Sequence, residues 1–304
     1  MRTIVAIAAL SALLVAGLAE ARPGGRLKER LAERRAEAAS APVPGGQTLG
    51  YGKDAAQVLD FWRAQGANGP APLVVFVHGG GWKRGSKDNA TGQFKPVHFP
   101  QAGYAFASIN YRLVPDHTVE EQGADVAAAV ALLRSQAGAL GIDPNRIVLM
   151  GHSAGAHLVA LVGTDPRYLD AAGVPRSAIA GIVPIDGAAY DVPAQMAQAG
   201  QFMGKTYAQA FGSDPARQRA LSPTFQVEGW NAPRFLLLHV QRPDGVAQAR
   251  QLGEALRQAG SAVELGSFPG EGLRGHAEIN RRLGDPAYAA TATVDAWLET
   301  TFGE

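Results

Sequence analysis

Short apolar runs alternate with longer amphipathic or Ala-rich segments from about Gln47 to the C-terminus. The short runs fit buried strands, and the longer segments repeat their apolar residues at helical spacing. Strands that alternate with helices predict an α/β domain with a mostly parallel, doubly wound sheet. The predicted strands are 57–62, 73–77, 104–111, 146–150, 179–185, 235–239 and 262–268. The predicted helices are 119–140, 154–162, 246–258 and 288–302.

Residues 187–231 interrupt this alternation, because they contain no clear strand although they carry many aromatic residues and Met. An insertion between two core strands can form one wall of a pocket. We therefore expect these residues to form a helical insertion, or cap, over a pocket of the sheet, and Tyr190 is a candidate residue for binding a ligand in that pocket.

The N-terminal 46 residues differ from the rest of the chain. Arg2 precedes an apolar core at 4–18, and Ala19-Glu20-Ala21 follows as a small-residue cleavage site. This order is typical of a secretory signal peptide, and its core is shorter than the ~20 residues of a membrane-spanning helix. We expect cleavage after Ala21, no stable membrane insertion afterwards, and a periplasmic or secreted protein; an uncleaved anchor is the alternative. Residues 22–46 form a basic lead-in segment and linker, and 47–304 form the main domain.

Composition narrows the possible chemistry. The 304 residues are 46% hydrophobic, which is enough for a large core. A formal net charge of +1 gives no support for a nucleic-acid partner. With no cysteine, the chain has no disulfide, thiolate metal site or cysteine nucleophile. Composition does not indicate an oligomeric state.

The candidate nucleophile is Ser153. It lies in Gly151-His152-Ser153-Ala154-Gly155, between the strand predicted at 146–150 and the helix predicted at 154–162. A strand, a tight Gly-x-Ser-x-Gly turn and a helix form a nucleophile elbow, which exposes the serine hydroxyl. Because side chains would collide in so tight a turn, glycines flank the serine.

A second glycine-rich segment, His78-Gly79-Gly80-Gly81-Trp82, follows the strand at 73–77. Successive glycines let backbone N–H groups point into open space. The N–H groups of Gly80, Gly81 and Ala154 are therefore the candidate oxyanion hole. Trp82 is a candidate pocket residue.

A serine nucleophile needs a general base and an acid that orients the base, and in this architecture both are expected late in the chain. His276 follows the last predicted strand in a glycine-rich loop at 269–276, and we assign it as general base. Asp244 is the one carboxylate in the loop after the strand at 235–239, and we assign it as the acid. Asp186, at the end of the strand at 179–185, is the alternative.

These motifs resemble the α/β-hydrolase superfamily, and within it the carboxylesterases of the hormone-sensitive-lipase and arylformamidase-like groups. The resemblance runs from about Leu49 to the C-terminus and rests on 78–82, 110–115, 151–158, 222–223, and His276 with the segment 278–280. It implies hydrolysis of a small-molecule ester through an acyl-enzyme, with no metal or organic cofactor. One departure is His239-Val240, where relatives usually have His-Gly.

Other functions remain open at this point. An arylformamidase, or an esterase for feruloyl or acetyl groups, would use the same machinery. A non-catalytic binding protein on the hydrolase fold is the alternative from another class.

Overall fold

A computed structural model describes residues 43, 45–88 and 91–303. The predicted signal peptide and nearly all of the lead-in segment lie outside the described residues. Among the described helices, none is both long enough and apolar enough to cross a membrane.

The described part of the chain forms one eight-stranded sheet in the order β1-β2-β4-β3-β5-β6-β7-β8. β1 and β2 run antiparallel to their neighbours, and all pairs from β4 to β8 are parallel. The strands are β1 Gln47–Gly50, β2 Val58–Trp62, β3 Ala71–Val77, β4 Ala105–Ile109, β5 Ile142–His152, β6 Ile179–Ile185, β7 Arg234–Gln241 and β8 Ala262–Glu271.

The sheet is buried on both faces. Along β3, Val75 and Val77 belong to one apolar cluster while Val74 and Phe76 belong to another, and all four are 0% exposed. Side chains alternate between the two faces of a strand, so a continuous apolar run is what a doubly covered sheet requires. The unbroken apolar run of β3 therefore agrees with burial of this strand on both faces of the sheet.

Helices cover the two faces. They are α1 Lys95–Gln101, α2 Val119–Ser135, α3 Ala137–Leu140, α4 Ala154–Thr164, α5 Arg167–Ala171, α6 Val192–Gln198, α7 Gln201–Phe211, α8 Pro215–Ala220, α9 Pro243–Gln258, α10 Gly272–Arg282 and α11 Ala289–Gly303. Short 3-10 turns lie at Arg176–Ala178 and Pro223–Phe225. At the start of α2, the Thr118 hydroxyl accepts from the Glu121 N–H, and the Glu121 carboxylate accepts from the Thr118 N–H, forming a capping box.

The strand order reverses at β3, because the chain continues to β4 on one side and later to β5 on the other. The carboxyl ends of parallel strands on either side of such a reversal leave a crevice, which is the usual ligand position in open α/β sheets. The glycine-rich segment follows β3, and the turn at Ser153 follows β5. Both candidate segments therefore lie at this crevice.

The predicted α/β architecture is confirmed, and several elements differ locally from the prediction. β1 was not predicted, since its residues QTLG are mostly exposed and show no apolar run. The helix predicted at 119–140 is two helices, because Gln136 leaves helical geometry with φ −100° and ψ 13°. The loop predicted at 269–276 is the end of β8 followed directly by α10, since Gly270 and Gly272 adopt positive φ values of 128° and 51° and turn the chain there.

Residues 187–231 are helical in the structure, with α6, α7 and α8 and no strand among these described residues. α7 packs beside the glycine-rich segment: Tyr207 and Phe211 lie 5.8 and 4.8 Å, ring centre to ring centre, from Trp82. The insertion therefore borders the crevice through α7. Its boundaries as a separate cap remain a prediction.

The first turn of α4 lies against the end of β3. A Cβ on Gly155 would overlap the Val77 carbonyl oxygen and lie 2.6 Å from that of His78. We expect Gly155→Ala to lower the free energy of unfolding by about 2–3 kcal/mol, because overpacking here exceeds the gain in helix propensity. Chemical denaturation measures the change.

Gly138→Ala, in α3, is the matched control, because nothing lies within 4 Å of its would-be Cβ. It should leave stability unchanged or raise it slightly. Equal effects of the two substitutions would contradict close packing of α4 on β3.

Candidate active site

Ser153 occupies a strained turn between β5 and α4. Its φ of 57° and ψ of −116° lie outside the regions that residues with a Cβ ordinarily adopt. The Ser153 N–H donates to the Ile185 carbonyl oxygen at 3.0 Å, which ties the turn to β6. A Cβ on Gly151 would overlap the backbone of Gly155, so the turn excludes larger residues at this position. The surrounding sheet thus holds the Ser153 hydroxyl at the crevice.

His276 reaches this hydroxyl from the first turns of α10. Its Nε2 lies 3.0 Å from Ser153 Oγ. The approach depends on glycine, because a Cβ on Gly275 would come within 2.8 Å of the Gly270 Cα, where the chain doubles back after β8. The structure therefore brings together the two residues predicted as nucleophile and base, and it places His276 on a helix.

Asp186 holds the other side of the imidazole. Its Oδ2 lies 2.6 Å from His276 Nδ1, and its Oδ1 accepts from the Val240 N–H at 3.2 Å. Asp186 is 0% exposed and directly follows β6, with φ 44°. Burial alone would raise the pKa of this carboxyl, but the His276 hydrogen bond and the Arg242 charge outweigh it and hold the pKa below its usual value. Asp186 is therefore ionised near neutral pH.

The structure corrects the assignment of Asp244 as the partner of His276. Asp244 lies in the first turn of α9, its side chain is 40% exposed, and Oδ2 accepts from Gln195 Nε2 at 3.3 Å. Only Arg242 separates β7 from α9, because Pro243 already begins the helix. Asp244 therefore lies on the helix and not in a loop that could carry it to His276. Asp186, the alternative position, makes the contact instead.

The tautomer of His276 follows from these partners. An ionised carboxylate only accepts hydrogen bonds, so Asp186 requires a proton on Nδ1. The Nε2 lone pair then accepts the Ser153 hydroxyl proton. Ser153, His276 and Asp186 form a hydrogen-bonded chain in which each group can perform the role of a catalytic triad member.

The glycine-rich segment lies against the serine turn. A Cβ on Gly79 would lie 3.0 Å from Ser153 Cβ, so the segment is directly beside the nucleophile. Gly80, Gly81 and Trp82 adopt positive φ values of 127°, 63° and 61°. The Ala154 N–H is at the first position of α4, where a backbone N–H has no carbonyl acceptor within the helix. This placement is compatible with the predicted oxyanion hole.

The side chain of His78 packs against the start of the glycine-rich segment. It is fully buried, its Nδ1 lies 2.7 Å from the Gly79 carbonyl oxygen, and its ring stacks on Tyr111 at 4.3 Å. The Tyr111 hydroxyl also donates to the His78 carbonyl oxygen at 2.9 Å. These contacts fix the end of β3 where the glycines begin.

Both predicted pocket residues are buried. Trp82 is 3% exposed, and its Nε1 donates to His157 Nδ1 at 3.3 Å. Tyr190 is 1% exposed and lies against Gly187, where an added Cβ would overlap its hydroxyl. Direct contact of either side chain with a substrate remains a prediction.

Two residues that position α10 were not identified from the sequence. His152 Nε2 lies 2.9 Å from the His276 carbonyl oxygen, and the two rings pack at 4.4 Å. The Lys95 amine, fully buried, donates to the Thr91 carbonyl oxygen at 2.7 Å and to Asn280 Oδ1 at 3.0 Å. Burial lowers the pKa of Lys95 to about 7. Nothing in the spacing of the sequence links α1 to α10, so these contacts are visible only in three dimensions.

In the described ranges, no three His, Asp or Glu side chains come close enough together to hold a metal ion.

The stability of the protein should depend on pH through His157, which accepts a hydrogen bond from Trp82. Its Nε2–H donates to the Leu221 carbonyl oxygen at 2.8 Å, so the Nδ1 facing Trp82 carries a lone pair. Burial lowers the pKa of His157 from 6.5 to about 4. As the pH falls, the unfolded chain is protonated at His157 before the folded protein is, because the pKa is higher in the unfolded chain. The contribution of neutral His157 to folding stability is therefore complete above pH 6.5 and is lost as the pH falls toward 4.

We expect the stability advantage of the wild type over His157→Gln to shrink by about 2 kcal/mol between pH 7 and pH 5. Glutamine keeps one donor and one acceptor but does not titrate. Urea denaturation of both proteins across this range measures the difference. Parallel curves would contradict a buried neutral His157.

Known proteins resemble this chain in sequence and fold. The model of the BD-FAE family matches residues 59–256. Esterase LipC of Mycobacterium tuberculosis is 34% identical over 254 residues, which cover 79% of this chain and 62% of LipC. The crystal structure of esterase B from Lactobacillus rhamnosis superposes with a TM-score of 0.70 at 20% identity, covering 92% of both chains. A truncated carbohydrate esterase from gut microbiota gives 0.71 at 21% identity, covering 87% of this chain and all of the other.

The match spans less than two thirds of the length of LipC. The solved structures are below 25% identity and support the fold alone. The family match extends from β2 to the last turn of α9 and includes the glycine-rich segment, the serine turn and Asp186. The chain has the α/β-hydrolase fold and belongs to the BD-FAE family.

Proposed function

We propose that the protein is a serine carboxylesterase that hydrolyses small carboxylic esters through an acyl-enzyme intermediate. The observation that carries this proposal is the hydrogen-bonded chain from Ser153 Oγ through His276 to Asp186, with spacings of 3.0 and 2.6 Å. LipC is named as an esterase, and this similarity supports ester hydrolysis.

In the first step, His276 Nε2 takes the proton of Ser153 as Oγ attacks the ester carbonyl carbon. The imidazolium that forms is stabilised by the buried, ionised Asp186. The carbonyl oxygen becomes an oxyanion, for which the N–H groups of Gly80, Gly81 and Ala154 are the proposed donors. Each such donor typically lowers the barrier by about 3 kcal/mol.

His276 then donates its proton to the leaving alcohol, and Ser153 remains acylated. Water enters, His276 takes a proton from it, and the hydroxide attacks the acyl carbonyl. Collapse of the second oxyanion releases the carboxylic acid and returns the proton to Ser153. Because the same imidazole serves both halves, its placement by Asp186 affects acylation and deacylation alike.

Substitution of each carboxylate separates the two candidate acids. We expect Asp186→Asn to reduce kcat for p-nitrophenyl butyrate by about 10³–10⁴, because asparagine favours the wrong imidazole tautomer. Asp244→Asn should change kcat only a few-fold, since Asp244 does not contact His276.

Ser153→Ala is the control for the reaction itself, and it should abolish both turnover and labelling of the protein by an organophosphonate. A wild-type protein that neither turns over an ester panel nor is labelled would refute the proposed function. Equal losses in Asp186→Asn and Asp244→Asn would refute the assignment of the acid.

We also propose that the chain is exported, on the support of the N-terminal charge, the apolar core at 4–18 and Ala19-Glu20-Ala21. Expression of the full chain in a Gram-negative host should yield periplasmic protein that starts at Arg22, as determined by intact mass. Ala21→Arg should block the cleavage, because a bulky charged residue does not fit the cleavage site. Cytoplasmic protein that retains residues 1–21 would contradict export.

A further inference from the structure

The buried amine of Lys95 lies against three oxygen acceptors. Lys95 begins α1 and is 0% exposed. Its Nζ donates to the Thr91 carbonyl oxygen at 2.7 Å, to Asn280 Oδ1 at 3.0 Å and to the Asn280 carbonyl oxygen. It also lies 4.7 Å from the centre of the Phe76 ring. No carboxylate among the described residues pairs with this amine.

These acceptors match the protonated amine. An ammonium has three N–H donors and no lone pair, so the three oxygens use all of its donors. A neutral amine would have two donors and would turn its lone pair toward one of the oxygens. The contacts therefore favour a cation at Lys95 and oppose burial, which lowers the pKa of Lys95 to about 7.

Two of the three oxygens belong to α10. The last carbonyl groups of a helix have no N–H partner within the helix, and a lysine can supply the missing donor. Lys95 does so for Asn280, at the helix end where the dipole favours a positive charge. Asn280 lies one helical turn after His276, on the same face of α10. The ammonium therefore holds α10 close to the base.

α10 has few other buried attachments. Of its eleven residues, three are buried, and these are Gly275, Ile279 and Asn280. Ile279 is thus the single buried apolar side chain of this helix, because Gly275 has no side chain. Elements that bury little apolar surface open locally more easily than the rest of a fold. The C-terminal half of α10 therefore depends on the contact between Lys95 and Asn280.

A buried charge is a poor source of stability, because apolar residues of similar volume often replace it without loss. Hydrogen bonds have preferred directions, however, whereas apolar contacts do not. Three hydrogen bonds from one ammonium can fix how far α10 slides or rotates, which Ile279 alone cannot. Placement of the helix is thus what the charge of Lys95 contributes.

We propose that Lys95 is a positioning residue for the esterase reaction, and that its ammonium fixes α10 so that His276 Nε2 stays at hydrogen-bond distance from Ser153 Oγ. This inference rests on the proposed function and adds a distant residue to its machinery. Without the ammonium α10 shifts, and a misplacement of about 1 Å can reduce the rate about 100-fold. Lys95 is fully buried and does not touch the substrate, so KM should hardly change.

Lys95→Met replaces the amine with an apolar side chain of similar shape. We expect kcat for p-nitrophenyl butyrate to fall by about 10–100-fold, with KM changed by less than about three-fold. Lys87→Met is the matched control, because the Lys87 amine pairs with Asp60 and Asp88 and not with α10. It should keep the wild-type kcat. A folded Lys95→Met protein with the wild-type kcat would overturn the inference.

The charge can be restored chemically, because the protein has no cysteine. Lys95→Cys is alkylated while unfolded and is then refolded. Alkylation with 2-bromoethylamine gives a side chain that ends in an ammonium, and alkylation with 1-iodopropane gives a neutral side chain of the same length. The aminoethylated protein should regain most of the wild-type kcat, whereas the propylated protein should resemble Lys95→Met. Equal kcat values of the two refolded forms would contradict a role of the charge.

Hydrogen exchange separates this inference from the proposed function, because it requires no turnover. In the Ser153→Ala background, Lys95→Met should increase amide exchange in α10 by about ten-fold and leave α11 unchanged. Asn280→Leu keeps the ammonium and two of its acceptors, so it should fold and show a smaller increase. An inactive wild type with this change in exchange would refute the esterase but support the role of Lys95 in fixing α10. Unchanged exchange of α10 in the folded variants would overturn the inference.

Discussion

The short hydrogen bond between Asp186 and His276 is the interaction on which the site depends. It joins the end of β6 to the start of α10, and it fixes both the tautomer and the orientation of the imidazole. The Val240 N–H on Asp186 Oδ1 extends the connection to β7. Without this chain of contacts, neither the tautomer nor the orientation of the imidazole beside Ser153 would be fixed. The parallel sheet supplies the geometry because the ends of adjacent strands meet at one edge.

The base is also held from its other side. α10 is anchored to the rest of the fold by His152, whose ring packs on His276, and by Lys95, whose buried amine donates to Asn280. Burial lowers the pKa of His152 well below its usual range, and the neighbouring His276 adds to this effect. A neutral His152 can donate to the His276 carbonyl oxygen without adding a second positive charge beside the imidazolium. The base therefore has a positioning partner that does not compete for its proton.

Much of this organisation could be predicted from the sequence, because local chemistry determines it. The apolar run of β3 and the glycines on either side of Ser153 fix the strand, the turn and the following helix without any distant contact. The acid could not be predicted in the same way. Both Asp186 and Asp244 follow a parallel strand, and their sequences do not show that Pro243 begins α9 so early that Asp244 turns away from the imidazole. The contact of Lys95 with α10 joins segments separated by 185 residues and has no local signal.

The proton on His276 Nδ1 gives the most direct test of the account. In one-dimensional proton NMR at neutral pH, a hydrogen bond as short as that between His276 and Asp186 should give a far-downfield resonance that His276→Ala removes. We expect this resonance in the wild type and in Asp244→Asn, and we expect it to disappear in Asp186→Asn. A resonance that survives Asp186→Asn and disappears in Asp244→Asn would contradict the account.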